Sequence, residues 1–210
     1  MSHRDAMYRW RRASEKDRQA ILADRAARNH PLHSPFHLSN RDARTDWFLI
    51  TAACYEHRRI IGQSTERLSD FAQHLCQVLT ENSRSVTAWV VLANHYHALV
   101  ECPSIACMLA ALGKLHGRSS YQWNLKDRRR GRRVWCKAAE TAMKSEGHFF
   151  ATVNYIFHNP VRHGYCRRWT EWPHSNVQQY LAAVGREQAR RQWNAYPLHE
   201  YGDGWDPPEL

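Results

Sequence analysis

The chain has 210 residues, with 30 Lys and Arg against 20 Asp and Glu for a formal net charge of +10, and aromatics make up 11% of it. That length suits one domain with extensions and a real buried core, and the surplus of positive charge with interleaved aromatics favours nucleic acid over a membrane surface as partner. No window approaches the roughly 18 apolar residues of a spanning helix and the start lacks an apolar secretory segment, so the expectation is a cytoplasmic protein, nucleoid-associated through DNA, with no membrane partner. Its 6 cysteines form no Cys-x-x-Cys pair, which points to reduced structural thiols rather than a zinc cluster or a disulfide framework.

Residues 1–44 read as a basic N-terminal extension carrying Arg9, Arg11, Arg12, Arg18, Arg25, Arg28, Arg41 and Arg44, with one helix from Ser14 to Asn29 and a Pro-rich break at 31–35. The β-branched and aromatic run Trp47 to Tyr55 is predicted as the first strand. From Ser64, a candidate N-cap, Leu68, Phe71, Ala72, Leu75, Cys76, Val78 and Leu79 recur at helical spacing. Val86 to Ala93 and the stretch from His95 to Glu101 then read as two strands joined by a turn at Ala93-Asn94. Ile105 to Lys126 is helical, and Val134 to Thr141 is a fourth strand despite the poor strand formers at its centre. Strand, helix, strand, strand, helix, strand is the α+β, ferredoxin-like split βαβ sandwich: an antiparallel sheet with helices on one face, here with N- and C-terminal extensions.

Between the second helix and the fourth strand, Arg128, Arg129, Arg130, Arg132 and Arg133 crowd one loop flanked by Trp123 and Trp135. A solvated charged loop is one reading; a DNA-binding loop in which these arginines and Trp135 contact phosphates and bases is the one preferred. Further on, His148 to Asn159 is predicted as a helix stopped by Pro160. Gln178 to Gln192 is a basic helix candidate, and the last residues turn acidic with Glu200, Asp203, Asp206 and Glu209, a tail able to fold over a basic cleft.

Two pairs of residues carry chemistry. In a strand His95 and His97 project from one face roughly 7 Å apart, and neutral imidazoles are common ligands of divalent cations. Taken alone, the pair also fits hydrogen-bonded structural side chains. On the 148–159 helix, Phe149, Phe150, Val153, Ile156 and Phe157 form one apolar face; Tyr155 and Asn159, four apart, share the other and are placed to address one ligand together. A surface tyrosine and a helix-ending Asn-Pro would look the same.

Asn94-His95-Tyr96-His97-Ala98-Leu99-Val100 followed by NYIFHNPVRHGY at 154–165 and the Trp172-Pro173-His174-Ser175 stretch resembles the single-tyrosine HUH transposases, most closely their REP-associated tyrosine transposase branch, over about residues 45–180. The resemblance implies a nuclease domain at 45–180, followed by a C-terminal helix and acidic tail at 181–210. It implies His95, His97 and Asn159 as ligands of Mg²⁺ or Mn²⁺, Tyr155 as a nucleophile that forms a 5′-phosphotyrosine link, and single-stranded or hairpin DNA such as REP-like palindromes as substrate. Family members include monomers and homodimers. The alternatives are a catalytically silent hairpin-DNA-binding protein of the same fold, or a replication or mobilisation nickase; against the latter, no second tyrosine stands near Tyr155 in sequence before Tyr165.

Overall fold

The computed structural model describes residues 13–27, 45–198 and 201. The Pro-rich break, the N-terminal arginines other than Arg18 and Arg25, and the four acidic residues of the tail lie outside the described residues. Helix α1 (Glu15–Ala27) begins where expected. The Ser14 hydroxyl accepts from the Asp17 N–H at 3.2 Å while the Asp17 carboxylate accepts from the Ser14 N–H at 3.3 Å, a reciprocal cap.

The core of the fold runs β1 (Trp47–Ala53), α2 (Thr65–Glu81), β2 (Ser85–Val91), β3 (His95–Glu101), α3 (Ile105–Lys126), β4 (Ala139–Ala142) and α4 (Glu146–Arg162), with α5 (Val177–Val184) and α6 (Arg186–Ala195) behind it. The sheet order is β2-β3-β1-β4 with every neighbour antiparallel, the split βαβ arrangement expected from the element order. Ser64 caps α2, accepting from the Arg67 N–H at 3.1 Å. The turn from β2 to β3 is tied down by Gly62, whose N–H donates to the Ala93 carbonyl at 2.9 Å. A Cβ at Gly62 would stand 2.4 Å from the Ala93 Cβ, so this close approach admits only glycine without a backbone shift.

Strand alternation splits the apolar residues between two cores. Phe48, Ile50, Ala52, Trp89, Val91, Tyr96, Ala98 and Val100 pack under α2 and α3. Leu49, Ala88, Val90 and Leu99 face the other way, against Val153, Ile156 and Phe157 of α4 and Val177 and Leu181 of α5. The two crossover helices thus share one face, and α4 covers the other. Ala189 of α6 is buried in that second core as well. The edge of β2 is covered by the segment after α4: Trp172 Nε1 donates to the Val91 carbonyl at 2.9 Å, and the Val91 N–H donates to His174 O at 2.9 Å.

Three boundaries differ from expectation. The fourth strand starts at Ala139, not Val134. Trp135 bridges Cys54 and Ala139 pairs with Thr51, so the register slips by one residue and residues 136–138 absorb it as a bulge. Helix α4 continues through Pro160 to Arg162; in the last turn the missing N–H costs one bond, and the end closes with the His163 N–H on Asn159 O at 3.0 Å and the Tyr165 N–H on Pro160 O at 2.9 Å. The basic helix expected from Gln178 to Gln192 is two helices broken at Gly185, which sits at φ +81°.

Candidate active site on the second face of the sheet

Strand β3 sends Tyr96 into the first core and His95 and His97 toward α4. Register then supplies their supports. Thr51 pairs with His97 across β1 and β3, and its Oγ1 lies 2.8 Å from His97 Nδ1. Asn94 Oδ1 lies 2.7 Å from His95 Nδ1, and the amide orientation is set because Asn94 Nδ2 donates to His57 O at 3.1 Å. His95 therefore donates its Nδ1–H to Asn94, and in the neutral ring Nε2 carries a lone pair. With both Nδ1 atoms engaged on the strand side, both Nε2 atoms point at α4.

Helix α4 meets them with matching spacing. Residues i and i+4 rise about 6 Å along a helix, close to the roughly 7 Å between i and i+2 in a strand. Asn159 Oδ1 stands 3.1 Å from His95 Nε2, and the Tyr155 hydroxyl 3.4 Å from His97 Nε2. All four side chains are at most 1% exposed. The expectation that Tyr155 and Asn159 lie away from the core is thereby corrected: α4 is buried on both faces, because the sheet covers one and α5, α6 and the Trp169 turn cover the other.

The contact at His95 has an unusual donor balance. The neutral His95 presents its Nε2 lone pair to the Asn159 amide at 3.1 Å, and the amide nitrogen makes no other hydrogen bond, so this amide can turn to offer Nε2 an N–H or, through its oxygen, join Nε2 in holding a cation. A divalent cation held between them would take a lone pair from each, and their 3.1 Å separation is short enough for the two to share one ion. Among the described residues no group of three or more His, Cys, Asp or Glu is arranged to hold a metal, so any ion here would need the Asn159 amide alongside the two imidazoles.

Sequence reasoning missed two neighbours. His163, whose ring centroid is 5.0 Å from that of His95, extends the Tyr155 and Asn159 stripe by four more residues, a signal present in the spacing. Tyr201 lies 5.8 Å from the Tyr155 ring, and its hydroxyl contacts Thr152 Oγ1 at 2.5 Å and His148 Nε2 at 3.1 Å. Burial raises the Tyr201 hydroxyl above its ordinary range, opposed by the Thr152 hydrogen bond. No local pattern announces this neighbour, since only tertiary packing brings Tyr201 to α4.

The arginine loop divides. Asp127 accepts from Arg67 Nη1 at 3.0 Å and from Arg67 Nη2 at 2.5 Å, and from Arg132 Nη2 at 2.6 Å, a buried network that holds its carboxyl below the usual range chiefly through the Arg67 hydrogen bonds. Arg132 also donates through Nε to Asn124 Oδ1 at 2.8 Å, so it anchors the loop. Arg128, Arg129, Arg130 and Arg133 are exposed. Trp135 is in the core, stacked on His116 at 4.3 Å with Nε1 donating to Ser119 Oγ at 3.0 Å.

No protein-family model matches the chain, and no curated protein matches it in sequence. Among solved structures, the chain is similar to a REP-associated tyrosine transposase bound to a REP hairpin, at 18% identity and a TM-score of 0.52, over 83% of this chain and 93% of that one. At that identity the likeness is one of fold: both share the antiparallel α+β sandwich. Among the described residues no helix is long and apolar enough to cross a membrane.

Proposed function

We propose that the protein is a metal-dependent, tyrosine-nucleophile DNA nickase and strand transferase acting on hairpin-bearing single-stranded DNA. The observation that carries the reading is the convergence of His95 Nε2, Asn159 Oδ1, His97 Nε2 and the Tyr155 hydroxyl on one buried face. The net charge of +10, the fold shared with a hairpin-bound tyrosine transposase and the motifs at 94–100 and 154–165 support it. His95, His97 and Asn159 would hold Mg²⁺ or Mn²⁺, which when bound supplies positive charge at the scissile phosphate.

The chain's own residues do the rest. Asn94 sets the His95 tautomer so that Nε2 presents a lone pair, and Thr51 orients His97. Tyr155 gives up its phenol proton and attacks the phosphorus; its oxygen gains the 5′-phosphate, the bond to the 3′-oxygen breaks, and that oxygen takes up a proton to leave as a hydroxyl, which can attack back and restore the phosphodiester without an external energy source. Tyr155 is 1% exposed with Tyr201 against its ring, so a strand reaches it only after a neighbour moves.

The test is incubation with Mn²⁺ and hairpin DNA labelled at its 3′ end, the end that a 5′-phosphotyrosine link retains, read on a denaturing protein gel. Label that migrates with the protein and vanishes in Tyr155→Phe establishes nucleophile and reaction class together. Salt-sensitive binding without an adduct would leave a silent hairpin-binding protein; an adduct surviving in Tyr155→Phe would overturn the assignment of the nucleophile.

A further inference from the structure

The loop between β1 and α2 is the least regular stretch near the candidate site, and its placement is informative. Glu56 and His57 are consecutive non-glycine residues at φ 56° and 52°, a left-handed pair that persists only where surrounding contacts over-determine it. Those contacts are present. The Cys54 N–H donates to Asn94 O at 2.7 Å, the Tyr55 N–H to Val134 O at 2.6 Å, and His57 O accepts from Asn94 Nδ2. Asn94 in turn orients His95, so the loop is tied to the histidine pair on one side and to the end of the arginine loop on the other.

Two guanidinium groups border this loop, each on a tyrosine ring: Arg133 stacks on Tyr55 at its start, and Arg59 from its middle stacks on Tyr165. Arg133 Cζ stands 4.7 Å from the Tyr55 ring centroid, and Arg59 Cζ stands 5.7 Å from that of Tyr165. Tyr165 leads inward to His163 at 6.4 Å, and His163 to His95 at 5.0 Å. Arg59 and Arg133 are both exposed. The acid within the loop, Glu56, is held by Arg58 at 2.6 Å and so presents little free negative charge. A guanidinium stacked on an aromatic face is pre-oriented, keeps its charge and leaves its N–H edge outward for a phosphate, at a smaller ordering cost than a free side chain.

We infer that Arg133–Tyr55 and Arg59–Tyr165 are two steps of a track that holds the backbone of a single strand and leads it from the arginine loop at 128–130 to the histidine pair. This rests on the DNA reading above and adds to it a surface on the β1–α2 loop. The track is a binding site for the unpaired flank of a substrate; the paired stem is not what it reads.

The test uses the full chain and fluorescent hairpins with and without a single-stranded flank of about 10 nucleotides. Affinity is measured by anisotropy over a range of salt for wild type, for the Arg59→Ala/Arg133→Ala double variant and for Arg190→Ala, an exposed arginine of α6. The double variant is expected to bind the flanked hairpin about tenfold more weakly and the blunt hairpin within about twofold of wild type. Its log–log salt slope on flanked DNA should fall by about 1.4, from about 0.7 for each lost phosphate contact. The track is overturned if the double variant binds flanked DNA like wild type, if it weakens on both DNAs equally, or if Arg190→Ala weakens binding as much. Wild-type protein that binds neither DNA would remove the DNA reading and the track together, whereas the other failures leave the DNA reading standing.

Discussion

Each face of the sheet holds a buried Tyr–His pair, and the two pairs behave differently. On the face covered by α2 and α3 the Tyr96 hydroxyl meets His116 Nε2 at 3.0 Å, and His116 stacks on Trp135, whose indole N–H donates to Ser119 Oγ. Burial pushes Tyr96 upward and lowers His116 to about 4, so the phenol keeps its proton and donates to a neutral ring. The phenol, the indole N–H and the Ser119 hydroxyl there each have a partner. On the other face the Tyr155 hydroxyl and His97 are 3.4 Å apart, a longer contact, and the Asn159 amide beside them has one contact, to His95 Nε2 at 3.1 Å, with no hydrogen bond on its second polar atom. A closed polar network stabilises, whereas an open one of equal burial is a cost that a ligand can relieve. The residue types are the same; closure separates a structural pair from a candidate reactive one.

Exchanging the same hydroxyl deletion between the faces breaks the comparison most sharply. Tyr155→Phe should lower strand cleavage by at least about 10³-fold with little change in stability. Tyr96→Phe should leave cleavage near wild type and cost about 2 kcal/mol, because His116 Nε2 loses its donor. Cleavage assays and urea melts on both proteins decide it, and loss of activity in Tyr96→Phe alone would reverse the assignment of faces.

The closed face also holds the Arg67–Asp127 pair, with side chains only 5% and 8% exposed. Asp127→Asn should cost about 3 kcal/mol by leaving the guanidinium under-compensated. An unchanged denaturation midpoint would show that the pair contributes nothing net.

The pH dependence comes from the same face. His116 is depressed in the folded state, so below about pH 6.5 the unfolded chain takes up a proton that the folded chain refuses. Stability is therefore full above that pH and falls as pH drops toward about 4. Between pH 7 and 5 the loss should be about 2 kcal/mol. His148, His158 and His174, lowered chiefly by burial, act in the same direction. His116→Gln should flatten most of this slope in urea titrations; an undiminished slope would assign it to the other three.

The smallest effect on stability belongs to the open face. Asn159→Ala should change metal-free stability by only about 1 kcal/mol, since the side chain makes a single hydrogen-bonding contact, to His95 Nε2, and none through Nδ2. It should remove most of the thermal shift that Mn²⁺ gives the wild type. A shift retained in full would exclude Asn159 from ion binding.

Much of the fold was legible because its segments carry strong periodicity. The apolar stripe of α2 with its Ser64 cap, the run that became β1 and the alternation of β3 each specify one local structure. Where local signals were weak, contacts elsewhere decided. The Lys137-Ala138-Ala139-Glu140 centre is poor strand material, and β4 forms at 139–142 because β1 offers an edge there, with a bulge taking up the spare residue. Pro160 signals a helix end, yet the bonds made by His163 and Tyr165 carry α4 onward. Trp135 sits beside five arginines in sequence and in the core in space, because the bridge to Cys54 turns it toward Phe71 and His116.

By itself the sequence determined the element order, the shared face of His95 and His97, and the shared stripe of Tyr155 and Asn159, because strand and helix periods are properties of the local backbone. Only the tertiary structure decided that the two stripes face each other, that Asn94 and Thr51 aim both imidazoles at α4, and that Tyr201 covers Tyr155. Each of those depends on register and layer packing between residues far apart in the chain, where no local period carries information.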